Sequence, residues 1–174
     1  MEPYKFAGHC FQALPAIQLL KGIEAVPNRA GVYLIAVPQS SPLLEGCPDS
    51  TNQFEILDAK YVVIYVGETY ALKNRVLAHL SGDSKDSNFR HSIMSLHSSQ
   101  SLSARYPLTE ESLTQQLAEN SVVGFCEPEY IGLVEQQLIQ ELQPVFNIRG
   151  CMNPDWVTSL KKMRKIFSAS LKVA

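Results

Sequence analysis

The chain has 174 residues, of which 45% are hydrophobic and 18% charged, and its net charge is −2. That composition excludes a disordered chain and a globally basic nucleic-acid binder, and the length lets one core bury roughly two-thirds of the unfolded surface. No apolar run reaches the ~18 residues of a membrane span and the N-terminus lacks a secretory signal pattern, so a cytoplasmic protein without membrane contact is expected.

In chain order, residues 11–23 read as a short helix interrupted early by Pro15. Gly31-Val32-Tyr33-Leu34-Ile35-Ala36-Val37 is β-branched and apolar and stops at Pro38, the pattern of a buried strand. Residues 38–59 hold three prolines, Gly46 and scattered Ser, Asp and Asn, and are expected to be a loop insertion. Tyr61-Val62-Val63-Ile64-Tyr65-Val66-Gly67 is the second strand. Residues 70–81 have helical periodicity and stop at Gly82, and residues 88–98 form a second helix with Asn88 as N-cap. Thr109 caps a third helix, with Glu110 and Glu111 in its first turn. Ser121 to Glu127 is a strand, and Glu129 to Gln143 is a helix stopped by Pro144. Asn153-Pro154-Asp155 starts a basic amphipathic helix over 153–172, with an apolar stripe of Trp156, Leu160, Met163 and Phe167. This order of elements suggests one small α+β domain over 1–174.

Some residues break these patterns. Glu135 falls inside the apolar arc of Ile131, Val134, Leu138, Ile139 and Leu142, where a carboxylate is costly unless a donor or cation meets it. A half-buried ion pair would meet that need, as would a metal-ligand or acid/base role. Arg75 and His79, spaced i,i+4, lie at the edge of the Leu72, Val76 and Leu80 stripe and can aim at one spot. Such a pair is ordinarily a solvated face, but two donors beside one pocket also suit a scissile phosphate. Tyr33 and Tyr65 sit mid-strand, and period-2 alternation puts Tyr65 on one face with Val63 and Gly67. Gly67 permits close approach of backbone or substrate.

Charge is segregated. Residues 60–107 carry six basic and three acidic side chains, 108–147 none and seven, and 148–174 six and one. Blocks of opposite sign pair readily within a fold, so this pattern alone names no partner. Cys10, Cys47, Cys126 and Cys151 have no zinc-like spacing and are expected to be free thiols.

Gly31-Val32-Tyr33, Tyr65-Val66-Gly67, the Arg75 and His79 pair, Glu135 and Pro144-Val145-Phe146-Asn147 together resemble the GIY-YIG nuclease superfamily over about residues 30–149. The resemblance implies a small three-stranded antiparallel sheet flanked by helices, here with an insertion between the first two strands and an extra C-terminal helix. It also implies phosphodiester hydrolysis in DNA, RNA not being excluded, with Mg²⁺ or Mn²⁺ held by Glu135. Tyr33 would position or deprotonate the attacking water with help from His79, and Tyr65 would orient water or phosphate. Which tyrosine is the base stays open. Arg75 would stabilise the transition state, while Gly31, Gly67 and Asn147 would support the site. Nucleic acid would be held by Arg90, His91, Arg149, Lys161, Lys162, Arg164 and Lys165, with Arg105 following the second helix. A homodimer would cut both strands. The rival reading is a catalytically silent nucleic-acid-binding or regulatory module with the same fold.

Overall fold

The computed structural model describes residues 4–6, 8–49, 53–56, 59–99 and 108–172; Arg105 lies outside them. The chain runs β1 (Tyr4–Phe6), β2 (His9–Pro15), α1 (Ala16–Lys21), β3 (Gly31–Pro38), β4 (Gln53–Ile56), β5 (Ala59–Thr69), α2 (Leu72–Ser81), α3 (Asn88–Ser99), α4 (Glu110–Asn120), β6 (Val122–Cys126), α5 (Ile131–Leu142) and α6 (Pro154–Ser170). The class is α+β. The sheet, however, has six antiparallel strands among the described residues, in the order β1-β2-β6-β3-β5-β4, rather than three. The three expected strands form its centre.

The extra strands come from two segments read differently in sequence. Residues 9–15 are a strand, not the start of a helix: Phe11 and Ala13 are buried while Cys10 and Gln12 are exposed, a period of two that pairs with β6. Pro15 then ends the strand and the helix begins at Ala16. The stretch expected as loop contributes β4, which pairs with β5, and a short 3-10 turn over Pro42–Leu44 that buries Leu43 in the core. The sheet curls, because Phe6 on one edge strand meets Phe54 on the other edge-to-face at 5.1 Å. Curling brings the two strand edges together over apolar packing.

β3 is central and buried on both faces. Val32, Leu34 and Ala36 pack with Val134, Leu138 and Leu142 of α5. Tyr33, Ile35 and Val37 face the other way, into a larger core with Leu72, Val76 and Leu80 of α2, Phe89 and Ile93 of α3 and Leu113 and Leu117 of α4. The α6 stripe docks on this second layer: Leu160 and Phe167 are buried, and Trp156 donates from Nε1 to the Val145 carbonyl at 2.6 Å. Thr109 forms a capping box with Ser112, and Asn153 caps α6 by accepting from Trp156 N–H. The α3 cap is Ser87 rather than Asn88, since Ser87 Oγ accepts from the Arg90 N–H at 3.1 Å. All four cysteines carry free thiols. Among the described residues, no helix is long and apolar enough to cross a membrane.

Candidate active site

Two neighbouring strands carry the tyrosines, and a packing detail on each fixes where the rings point. Tyr33 pairs with Gly67 across the β3–β5 ladder. A Cβ at residue 67 would come within 2.6 Å of Tyr33 Cζ, so Gly67 makes room for the Tyr33 ring rather than for substrate. Gly31 is equally confined, since an added Cβ would sit 2.5 Å from the Cys126 carbonyl oxygen. The β5 ladder steps from Ile35↔Tyr65 to Ala36↔Val63, leaving Ile64 as an extra residue. That bulge breaks strict alternation. Tyr65 therefore shares a core layer with Val62 and Ile64, not with Val63, and its ring stands 6.3 Å from that of Tyr33.

α2 brings up the cationic pair. His79 is fully buried, and its Nε2 lies 2.7 Å from Tyr33 Oη. The half-buried Arg75 donates from Nη1 to the Asp86 carbonyl at 3.3 Å, and its charge acts on the phenols of both Tyr33 and Tyr65. Burial pushes Tyr33 far above the usual phenol range and also raises Tyr65, and the Arg75 charge opposes both shifts. Burial, with the Arg75 and Arg90 charges added, lowers His79 to about 3, so its imidazole is neutral at physiological pH.

The outer edge of β5 past β4 is closed by two segments that follow β6. Phe146 N–H donates to the Ile64 carbonyl at 3.0 Å. The Asn147 amide brackets Val66, accepting from its N–H at 2.9 Å and donating to its carbonyl at 2.8 Å. Two residues on, Glu68 N–H donates to Glu135 Oε1 at 3.2 Å. Ile64, Val66 and Glu68 present their backbone groups to the same edge, and an asparagine and a glutamate stand in for the missing strand. Asn147 thus fixes the peptide between Tyr65 and Gly67, and Glu135 is oriented against the end of that strand. Burial, then the Glu68 charge, raises the Glu135 carboxyl, whereas the Glu68 N–H and Arg149 lower it. The Glu135 charge also acts to raise Tyr33 and Tyr65.

The family model for the GIY-YIG catalytic domain matches residues 31–166, most of the chain. The chain belongs to the GIY-YIG family. No curated protein and no solved structure matches it. The matched GIY-YIG region begins at β3 and runs into α6, beyond the Asn147 bracket, and it gives the chain the broad class of nuclease.

Around this GIY-YIG centre the predicted nucleic-acid contacts divide. Arg90 does not reach the surface: it is fully buried, bonded to Glu110 at 2.7 Å and donating to the His79 and Leu80 carbonyls and to Thr114. Its donors are spent inside, so it ties α2 to α4 and offers nothing to a phosphate. His91 is half-buried, with Nε2 at 3.1 Å from Ser168 Oγ of α6 and its ring edge-to-face on Phe167. Arg164 donates to Asn88 Oδ1 at 2.6 Å, and its charge acts to lower Tyr65. Lys85, His91, Arg164, Lys165 and Lys172 line an open groove between α3 and α6, while Lys161 and Lys162 are exposed on α6. Arg149 is exposed and lines a cavity with Glu68 and Glu135.

Two further residues of the site do not stand out in the sequence reading. Glu68 lies in the Glu135 cavity, and its signal is the outward period-2 position after Val66. Ser87 lies 2.7 Å from His79 Nδ1, and its signal is a serine just before a helix start.

Proposed function

We propose that the chain is a divalent-metal-dependent endonuclease that hydrolyses phosphodiester bonds in DNA. The observation that carries this reading is the convergence of Tyr33, Tyr65, Arg75 and His79 on one spot beside a half-buried Glu135.

The residues fit Mg²⁺ or Mn²⁺. Among the described residues no cluster of three His, Cys, Asp or Glu exists, which disfavours a zinc-like cage. Mg²⁺ instead keeps its waters and accepts one carboxylate. The cavity beside Glu135 encloses about 270 Å³, against ~30 Å³ per water, which leaves room for a hydrated cation and a phosphate oxygen. Glu135 would hold the ion, one oxygen being steadied by the Glu68 N–H. When bound, the ion supplies charge neutralisation at the leaving oxygen.

The chain's own groups supply the rest. Arg75, already at both phenols, holds the non-bridging oxygens and meets the charge that grows on them. Tyr33 Oη would take the proton of the attacking water as the phenolate, its own proton having passed to a substrate phosphate oxygen, and Tyr65 would orient that water from the facing strand. Neutral His79 is a hydrogen-bonding partner of Tyr33 and not a cation for phosphate. Lys161, Lys162, Arg164, Lys165 and Arg149 provide the phosphate-facing surface.

The test is plasmid, single-stranded and branched DNA, with RNA alongside, incubated with Mg²⁺, Mn²⁺ or chelator. Wild type is expected to nick DNA only with the metal, and Glu135→Gln to lose at least about a hundredfold in rate while keeping its circular dichroism spectrum. Cutting by Glu135→Gln at the wild-type rate would overturn the reading. Cutting of RNA alone would replace the substrate.

A further inference from the structure

We infer that Ser87 is a positioning residue: it holds His79 in the Nε2–H tautomer, so that Tyr33 receives a hydrogen bond from histidine instead of giving one. The relay is Ser87 Oγ to His79 Nδ1 at 2.7 Å and His79 Nε2 to Tyr33 Oη at 2.7 Å. His79 and Ser87 are fully buried and Tyr33 nearly so, which leaves solvent no share in the relay.

Hydrogen-bond supply decides its direction. The buried imidazole is neutral and carries a single N–H, so one ring nitrogen donates and the other accepts. Ser87 Oγ already accepts from the Arg90 N–H, as the cap of α3. Its hydroxyl proton needs an acceptor, and His79 Nδ1 is the one within reach among the described residues. Each tautomer leaves one hydroxyl proton without an acceptor, that of Ser87 if Nδ1 is protonated and that of Tyr33 if Nε2 is. Ser87 is enclosed in the core, whereas Tyr33 stands among the groups proposed to meet substrate, so the unpaired proton belongs at Tyr33. With Ser87 donating, Nδ1 accepts and Nε2–H points at Tyr33 Oη. The helix cap and the tautomer are thus set by the same oxygen.

The consequence falls on Tyr33. Its oxygen accepts from His79 and lies beside Arg75, and both contacts favour the phenolate over the phenol. Its proton is the one left without a protein acceptor, to be taken by an oxygen that enters with the substrate. In the opposite tautomer that proton would be locked into His79.

The kinetic consequence rests on the nuclease reading, but the tautomer itself is a property of the free protein and is measured without substrate. Full-length ¹⁵N-labelled protein is recorded by long-range ¹H–¹⁵N correlation, with His79→Gln identifying the His79 signals among the four histidines. The expected signature is a protonated Nε2 and an unprotonated Nδ1; a protonated Nδ1 in wild type overturns the inference. Ser87→Ala is expected to lose that signature and Ser87→Thr, which restores the hydroxyl, to keep it. In DNA cleavage Ser87→Ala should lower kcat by roughly tenfold to a hundredfold with KM unchanged, and Ser87→Thr should recover most of that activity. If Ser87→Ala retains both the signature and the rate, Ser87 does not position His79. Should Ser87→Ala fail to fold, the wild-type and Ser87→Thr spectra still decide the tautomer. Wild type that shows the signature but cuts nothing would sink the nuclease reading and leave the tautomer standing.

Discussion

Tyr65 faces Tyr33 because Gly67 pairs with Tyr33 and Tyr65 with Ile35 in unbroken register, so ordinary alternation sets both rings on one face of the sheet. The bulge past Tyr65 turns Val63 to the opposite layer, while Tyr33, Tyr65, His79 and Phe89 assemble as one aromatic group. His79 is held there neutral, and this makes stability depend on pH. Its folded-state pKa is depressed to about 3, while the unfolded side chain titrates near ~6.5. The unfolded chain therefore binds a proton that the folded one refuses, so the contribution is intact above pH ~6.5 and diminishes progressively as pH falls toward the folded-state value. The decrease is on the order of a few kcal/mol. Urea midpoints measured from neutral pH down into the acid range should fall more steeply for wild type than for His79→Gln. Parallel slopes would mean that His79 accepts a proton in the folded state.

At the level of elements, α3 is the strut of the site. Ser87 at its start meets α2 through His79, and Arg90 one turn later gathers the end of α2 and the start of α4. The guanidinium satisfies two α2 carbonyls that have no intrahelical partner, and it pairs with Glu110, whose carboxylate also accepts from Ser84 N–H at 2.8 Å. Arg90→Met would strand Glu110 and these carbonyls, at a cost of ~3 kcal/mol. The expected result is a lower urea midpoint at unchanged m value, with DNA affinity per folded molecule unaltered. A variant that folds as stably as wild type but binds DNA less well would return Arg90 to the surface. This ion pair also joins the basic 60–107 segment to the acidic 108–147 segment, so part of the charge segregation is internal pairing and not a partner surface.

For the molecule as a whole, net charge −2 is compatible with a nucleic-acid partner because basic groups are concentrated on α6 and its groove with α3. On the proposed reading, affinity would come from this local surface and not from total charge. Reversing Lys161, Lys162 and Lys165 together to Glu should weaken DNA binding and reduce the slope of log K against log salt by ~0.9 for each phosphate no longer neutralised. Titrations at several salt concentrations give that slope; an unchanged slope would make α6 a docking helix with a merely solvated face.

Much of this architecture is legible in the sequence. The three central strands are continuous apolar runs bounded by Gly and Pro, and Glu135 stands out because a carboxylate interrupts an apolar stripe. Thr109 and Asn153 are caps whose partners lie within three residues, so local chemistry alone determines them. Asn147 stands out only through the family's terminal motif, because the peptide it brackets lies far away in sequence. What only the tertiary structure decided has a common cause: it depends on pairing between distant segments. The opposite facing of Val63 and Tyr65 is set by a bulge defined only once β3 lies beside β5. Arg90 turns inward because α2 and α4 together present enough acceptors to replace its water, which no local pattern reveals. Ser87 carries a local cap signal, yet its second partner exists only after α2 folds back over the sheet. The outer strands form because β2 pairs with β6 and β4 with β5, partners that residues 4–15 and 53–56 do not determine by themselves. Local periodicity and capping therefore determined the elements and the identity of the reactive groups, and long-range pairing decided which way those groups face.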